Sequence, residues 1–138
     1  MDENLKEVIE GTIKEWAPMM RIADWDIEFR FVSARELREA MKGKEGTVAY
    51  CTRNRLLKYA TIEMDEEHKE TKKDWQLVLA HEMFHIVTDD FIYHAECCRD
   101  LVEDESMREI MENQTEMYYE RLIEDLAKAF VAALRRSW

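Results

Sequence analysis

The chain has 138 residues, enough for one domain around a single core and too few for two. Its 31 acidic and 20 basic side chains give a net charge of −11, and the lysines and arginines are scattered, which argues against a nucleic-acid-binding face. No uncharged run exceeds seven residues, far short of a membrane span. The cysteines (Cys51 and the adjacent Cys97 and Cys98) make no disulfide framework, and the opening "MDENLKEVIE" lacks the apolar stretch of a secretory signal. The expected setting is therefore a reducing cytoplasm, with residues 1–138 forming one domain.

Leu5, Val8, Ile9, Thr12, Ile13 and Trp16 recur at helical spacing before Pro18, which predicts a first helix over about residues 3–17. In "WDIEFRFV", Ile27, Phe29 and Phe31 alternate with Glu28 and Arg30, the period of a strand with one buried face. Ser33 and Glu36 form a capping-box signature for a short helix reaching about Met41. "GTVAYCT" and "LKYATIEM" read as two more strands. Thr71 with Asp74 can cap a helix running through "WQLVLAHEMFHIVTDD", and Ser106 with Glu109 can open a long last helix ending near Trp138. The pattern predicts an α+β domain: a small three-stranded or slightly larger sheet packed against these helices.

The chemistry concentrates in "AHEMFH". On a helix, His81 and His85 project from one face, one turn apart, where two imidazoles can hold a single zinc ion. Glu82 lies close enough to that face to contact a water on the metal without being a ligand. Zinc lowers the pKa of such a water towards ~7, and a glutamate can accept its proton during attack on a carbonyl. The bland alternative is two helix histidines bracketing an ordinary carboxylate. The capped, apolar helix that carries the motif favours zinc.

A catalytic zinc site has three protein ligands and an open position. A metzincin would place a histidine six residues after His85, where this chain has Phe91. His94 with Cys97 and Cys98 offers a cluster better suited to a structural site. Asp89 and Asp90 fit a helix end, and His68 a solvated loop. On the last helix Glu112, Glu116, Glu120 and Glu124 are candidates. Ile123, Leu126, Ala127, Phe130 and Leu134 mark its buried stripe, with Glu120 at the edge of that stripe and Glu116 nearer its centre. Glu112 and Glu124 read as solvent-facing or paired with Arg121 and Lys128. Tyr93, Tyr118 and Tyr119 are candidate oxyanion donors, and the sequence does not choose among them.

"WDIEF" near residue 25, "WQLVLAHEMFH" at 75–85 and "ERLIEDLA" at 120–127 together resemble the small metallopeptidase-like proteins common in phage genomes. These look like minimal gluzincins, whose third zinc ligand is a glutamate on a later helix. The resemblance spans about residues 25–130. It implies a zincin-like fold, one Zn²⁺ per chain held by His81, His85 and Glu120, and Glu82 as general base. It also implies a peptide or protein substrate, pairing with strand Tyr59–Met64 as a sheet edge. The expected activity is that of a zinc endopeptidase. The alternative is a zinc-binding regulatory protein of the same fold, against which the intact Glu82 argues, since metal retention alone needs no base.

Overall fold

The computed structural model describes residues 3–41 and 47–136. Within them the chain is α+β, with helices α1 (Glu3–Met19), α2 (Ala34–Ala40), α3 (Lys69–Val87), α4 (Asp89–Asp100) and α5 (Glu105–Arg136). The strands are β1 (Asp26–Phe31), β2 (Ala49–Asn54) and β3 (Tyr59–Met64). The expected start of the second strand at Gly46 and the close of the last helix at Trp138 lie outside the described residues. No helix among those described is long and apolar enough to cross a membrane.

Ile9, Ile13 and Trp16 of α1 are buried, as the spacing predicts, while Val8 at the stripe's edge is exposed. The helix stops in a Schellman arrangement: Ile22 N–H donates to the Ala17 carbonyl at 2.9 Å and Arg21 N–H to that of Pro18 at 3.1 Å. Arg21 takes the left-handed position, with φ 63°. That conformation costs a residue with a Cβ about 1–2 kcal/mol, and glycine's extra freedom in the unfolded chain offsets part of the gain from removing it. Arg21→Gly is therefore expected to stabilise the fold by about 0.5–1 kcal/mol, seen as a higher urea midpoint at unchanged slope.

The sheet order is β1-β3-β2, with β1 parallel and β2 antiparallel to β3. Alternation gives each strand one core face, and the register aligns those faces in rows. Phe29, Ile62 and Cys51 form one row; Phe31, Met64 and Ala49 form the next. Ala60, Ile62 and Met64 are each fully buried, and helices α1, α3 and α5 contribute to the same core. The expected edge at Tyr59–Met64 is corrected: β3 is central, with both its sides hydrogen-bonded, and β2 is the edge strand next to α3. Alternation identifies a strand's faces but not its neighbours, so the strand order was not readable from the pattern.

Asp74 interrupts α3 with φ −161° and ψ 79°, and its Oδ1 accepts from Leu77 N–H at 3.2 Å. Asp74 is thus the cap of the motif-bearing segment, while His68, through Nδ1, caps the preceding turn by accepting from Glu70 N–H at 3.0 Å. Thr71, expected as the cap, is buried instead. Leu79, Ala80, Met83 and Ile86 form the buried face of α3, each leucine-sized side chain contributing about 1.5–3 kcal/mol of burial. Phe130 of α5 sits between Phe84 and Trp16, edge-on to each at 5.8 and 5.2 Å. Arg135 near the end of α5 donates to Asp74 Oδ1 at 2.8 Å and to Gln76 Oε1 at 3.2 Å. The last helix therefore runs back along the motif helix. Its own cap is Asp104, which accepts from Met107 N–H at 3.0 Å, not Ser106.

Candidate metal centre

The spacing of four places His81 and His85 side by side, ring centroids 5.1 Å apart. Because α5 lies along α3, Glu120 is brought across from them. Its carboxylate oxygens lie 3.5 Å from His81 Nε2 and 3.8 Å from His85 Nε2. Among the described residues these three form the group that could hold a metal ion, one ligand atom from each lying within 4.8 Å of the others. A tetrahedral ion with bonds of about 2.0–2.1 Å needs ligand atoms about 3.3–3.4 Å apart, so only small side-chain adjustments separate this group from a closed site.

The outer nitrogens decide which lone pairs face inward. Thr88 Oγ1 donates to the Phe84 carbonyl at 2.7 Å, which uses its only hydrogen. Tyr119 must then donate to Thr88, at 2.8 Å, and accept from His85 Nδ1, at 3.2 Å. Glu124 accepts from His81 Nδ1 at 3.1 Å. With both Nδ1 atoms engaged by these partners, both Nε2 atoms face the Glu120 carboxylate. Without a metal, a proton on His81 Nε2 bridges to Glu120; a metal ion placed among the three groups would take the position of that proton. This donor set, two imidazoles and one carboxylate, fits zinc.

Burial works against charging His81, but hydrogen bonding to Glu120 and the charges of Glu82, Glu120 and Glu124 outweigh it and raise its pKa. Burial holds His85 neutral well below the usual imidazole range, against the pull of Glu120. The hydrogen bond to His81 leads in keeping Glu120 ionised. Glu82, only 7% exposed, is pushed up to about 7 by burial, with His81 and Arg53 opposing and Glu120 reinforcing. A carboxylate tuned to neutrality is poised to take a proton and return it.

The centre opens on a cleft of about 520 Å³ between β2 and α5, walled by Tyr50, Arg53, Thr115 and Glu116 among others. A smaller hollow of about 260 Å³ meets it at His81 and Glu82 and is lined by Val48, Leu77 and Val78 together with Glu70 and Glu124.

Other candidates fall outside the metal group. Glu116 lines the cleft but is exposed rather than aligned with the core, because α5 overruns the core and only Ile123, Ala127 and Val131 are buried along it. Glu112 reaches Arg99 at 3.7 Å. His94 and Cys98 contact each other at 3.6 Å on the exposed side of α4, and Cys97 is exposed too. Tyr93 packs its ring against the Arg55 guanidinium, 3.9 Å away, and Tyr118 is exposed.

Three features escaped the sequence reading. Glu124, expected in solvent or paired with Arg121 and Lys128, does reach Lys128 at 4.0 Å, yet it also holds His81. Its place one turn after Glu120 was the available signal. Thr88, three residues after His85, carries no sequence signal of its place between the Phe84 carbonyl and Tyr119. Asp89, read as a helix end, does begin α4, but it is buried and bonded by both Arg53 and Arg55.

The class defined here is a half-buried centre of two imidazoles and a carboxylate, with a buried glutamate beside it. Compared with known proteins, the chain matches no protein-family model, no curated protein and no solved structure.

Proposed function

We propose that the protein is a zinc-dependent peptidase, with His81, His85 and Glu120 holding the ion and Glu82 serving as general base. The observation that carries this reading is the pair of Nε2 atoms facing the Glu120 carboxylate at 3.5 and 3.8 Å, with the buried Glu82 carboxylate in the same open cleft. Zinc, when bound, supplies Lewis acidity that polarises a carbonyl and makes water acidic enough to lose a proton near pH 7. Glu82 accepts that proton and returns it to the departing amine. The free edge of β2 offers main-chain hydrogen bonds to an extended peptide, and the Val48, Leu77 and Val78 hollow takes an apolar side chain.

The test is metal analysis of the purified protein followed by digestion of a peptide library. About one zinc per chain is expected, with cleavage that stops on chelation and returns with zinc. A zinc-loaded protein that leaves every peptide intact would instead mark a zinc-binding regulatory protein. Glu124→Ala and Tyr119→Phe each release one imidazole from its partner. Each is expected to weaken zinc binding about 10–100-fold, measured by competition with a chelating dye.

A further inference from the structure

Arg53 stands where the sheet calls for an apolar residue. It alternates with Ala49 and Cys51 on the core face of β2 and shares a row with Ala60 and Ile27. Burying a guanidinium there is costly unless it is paired. The pairing is with Asp89, only 2% exposed: Arg53 Nε donates to Oδ1 at 2.9 Å, and Arg53 Nη1 donates to the Cys51 carbonyl at 3.4 Å.

Asp89 does not need Arg53 for its charge. Arg55 already donates to both of its oxygens, at 3.1 and 3.4 Å. Two guanidiniums on one carboxylate leave a surplus positive charge. Arg53, unlike Arg55, lines the cleft with His81, Glu82, His85 and Glu120, and among the described residues its Nη2 has no acceptor. Of the expected oxyanion donors, Tyr119 is engaged in the hydrogen-bond chain from His85, Tyr93 packs against Arg55, and Tyr118 is exposed and absent from the cleft lining.

Resting on the peptidase reading, we propose that Arg53, held rigid by Asp89, binds the carbonyl oxygen of the scissile bond and stabilises the negative charge that develops there. It acts as a hydrogen-bond donor and keeps its proton throughout. A donor fixed before the reaction costs no reorganisation during it, which makes such groups effective.

The test compares Arg53→Ala, Arg53→Lys and Arg55→Ala in the zinc-loaded full chain. Three quantities are read: zinc stoichiometry, thermal midpoint, and affinity for a phosphonate peptide, whose tetrahedral anion mimics the developing charge. Arg53→Ala is expected to keep one zinc and lose about 10²–10³-fold in phosphonate affinity and in kcat, with KM little changed. Arg53→Lys should recover part of that loss. Arg55→Ala removes the other partner of Asp89 from outside the cleft, so it should lower the thermal midpoint while phosphonate affinity stays within a few-fold. Equal losses for Arg53→Ala and Arg55→Ala, or an unchanged phosphonate affinity in Arg53→Ala, would overturn the assignment. A wild type that binds zinc and phosphonate but cuts no peptide defeats the peptidase reading, and the phosphonate comparison still judges Arg53. A wild type that takes up no zinc overturns both.

Discussion

Glu82→Gln is expected to lower kcat/KM for peptide cleavage by about 10²–10⁴-fold, the range associated with a positioned general base, while zinc stoichiometry and fold are retained. The amide matches the carboxylate in shape and volume, so a side chain only 7% exposed is replaced without opening a cavity. What is lost is proton affinity. Glu82 is pushed up to about 7 chiefly by burial, which suits it to accept a proton near neutral pH, and an amide cannot do so at all. Peptide turnover, metal analysis and a thermal melt on one preparation check the three parts together. Loss of zinc in the variant would make Glu82 a ligand or a structural partner instead of a base.

The second large effect concerns the third ligand. Glu120→Ala is expected to weaken zinc binding well beyond the 10–100-fold that follows loss of an outer partner, because it removes a donor atom from the ion itself. Glu116→Ala, one turn earlier on the same helix, is expected to change zinc affinity no more than a few-fold. Glu120 places its oxygens 3.5 and 3.8 Å from the two Nε2 atoms, whereas Glu116 lines the cleft outside that group. Competition with a chelating dye at neutral pH separates the two. A larger loss for Glu116→Ala would mean that α5 sits one turn away from the register described.

The histidine pair and Glu82 were legible because helical spacing alone puts them together, and nothing distant is needed to see it. Glu120 was harder to read. The sequence offered four glutamates at one-turn intervals on the last helix, and which one reaches His81 depends on how α5 docks along α3. That docking is set by Phe130 between Trp16 and Phe84 and by Arg135 on Asp74, contacts that no local pattern reveals. The three strands were recognisable from alternation, but β3 proved central because pairing order is a tertiary property. Helix α4 went unread for a different reason. Only Asp89 and Ile92 are buried along it, so it carries no apolar stripe to detect. Arg53 did leave a mark in the sequence, a charge at an inward position of β2, and its meaning needed Asp89 from 36 residues away.

The path of α5 also fixes when the centre can first exist. His81, Glu82 and His85 are in place once α3 has folded, but Glu120, Glu124 and Tyr119 arrive together on the last helix. During synthesis, at about 5–20 residues per second, an N-terminal portion emerges seconds before the remainder. On the proposed reading, a nascent chain displaying only α3 carries the base and two imidazoles, without the third ligand or the acceptors that orient the rings. The metal group is completed only when α5 docks along α3, with Arg135 on Asp74.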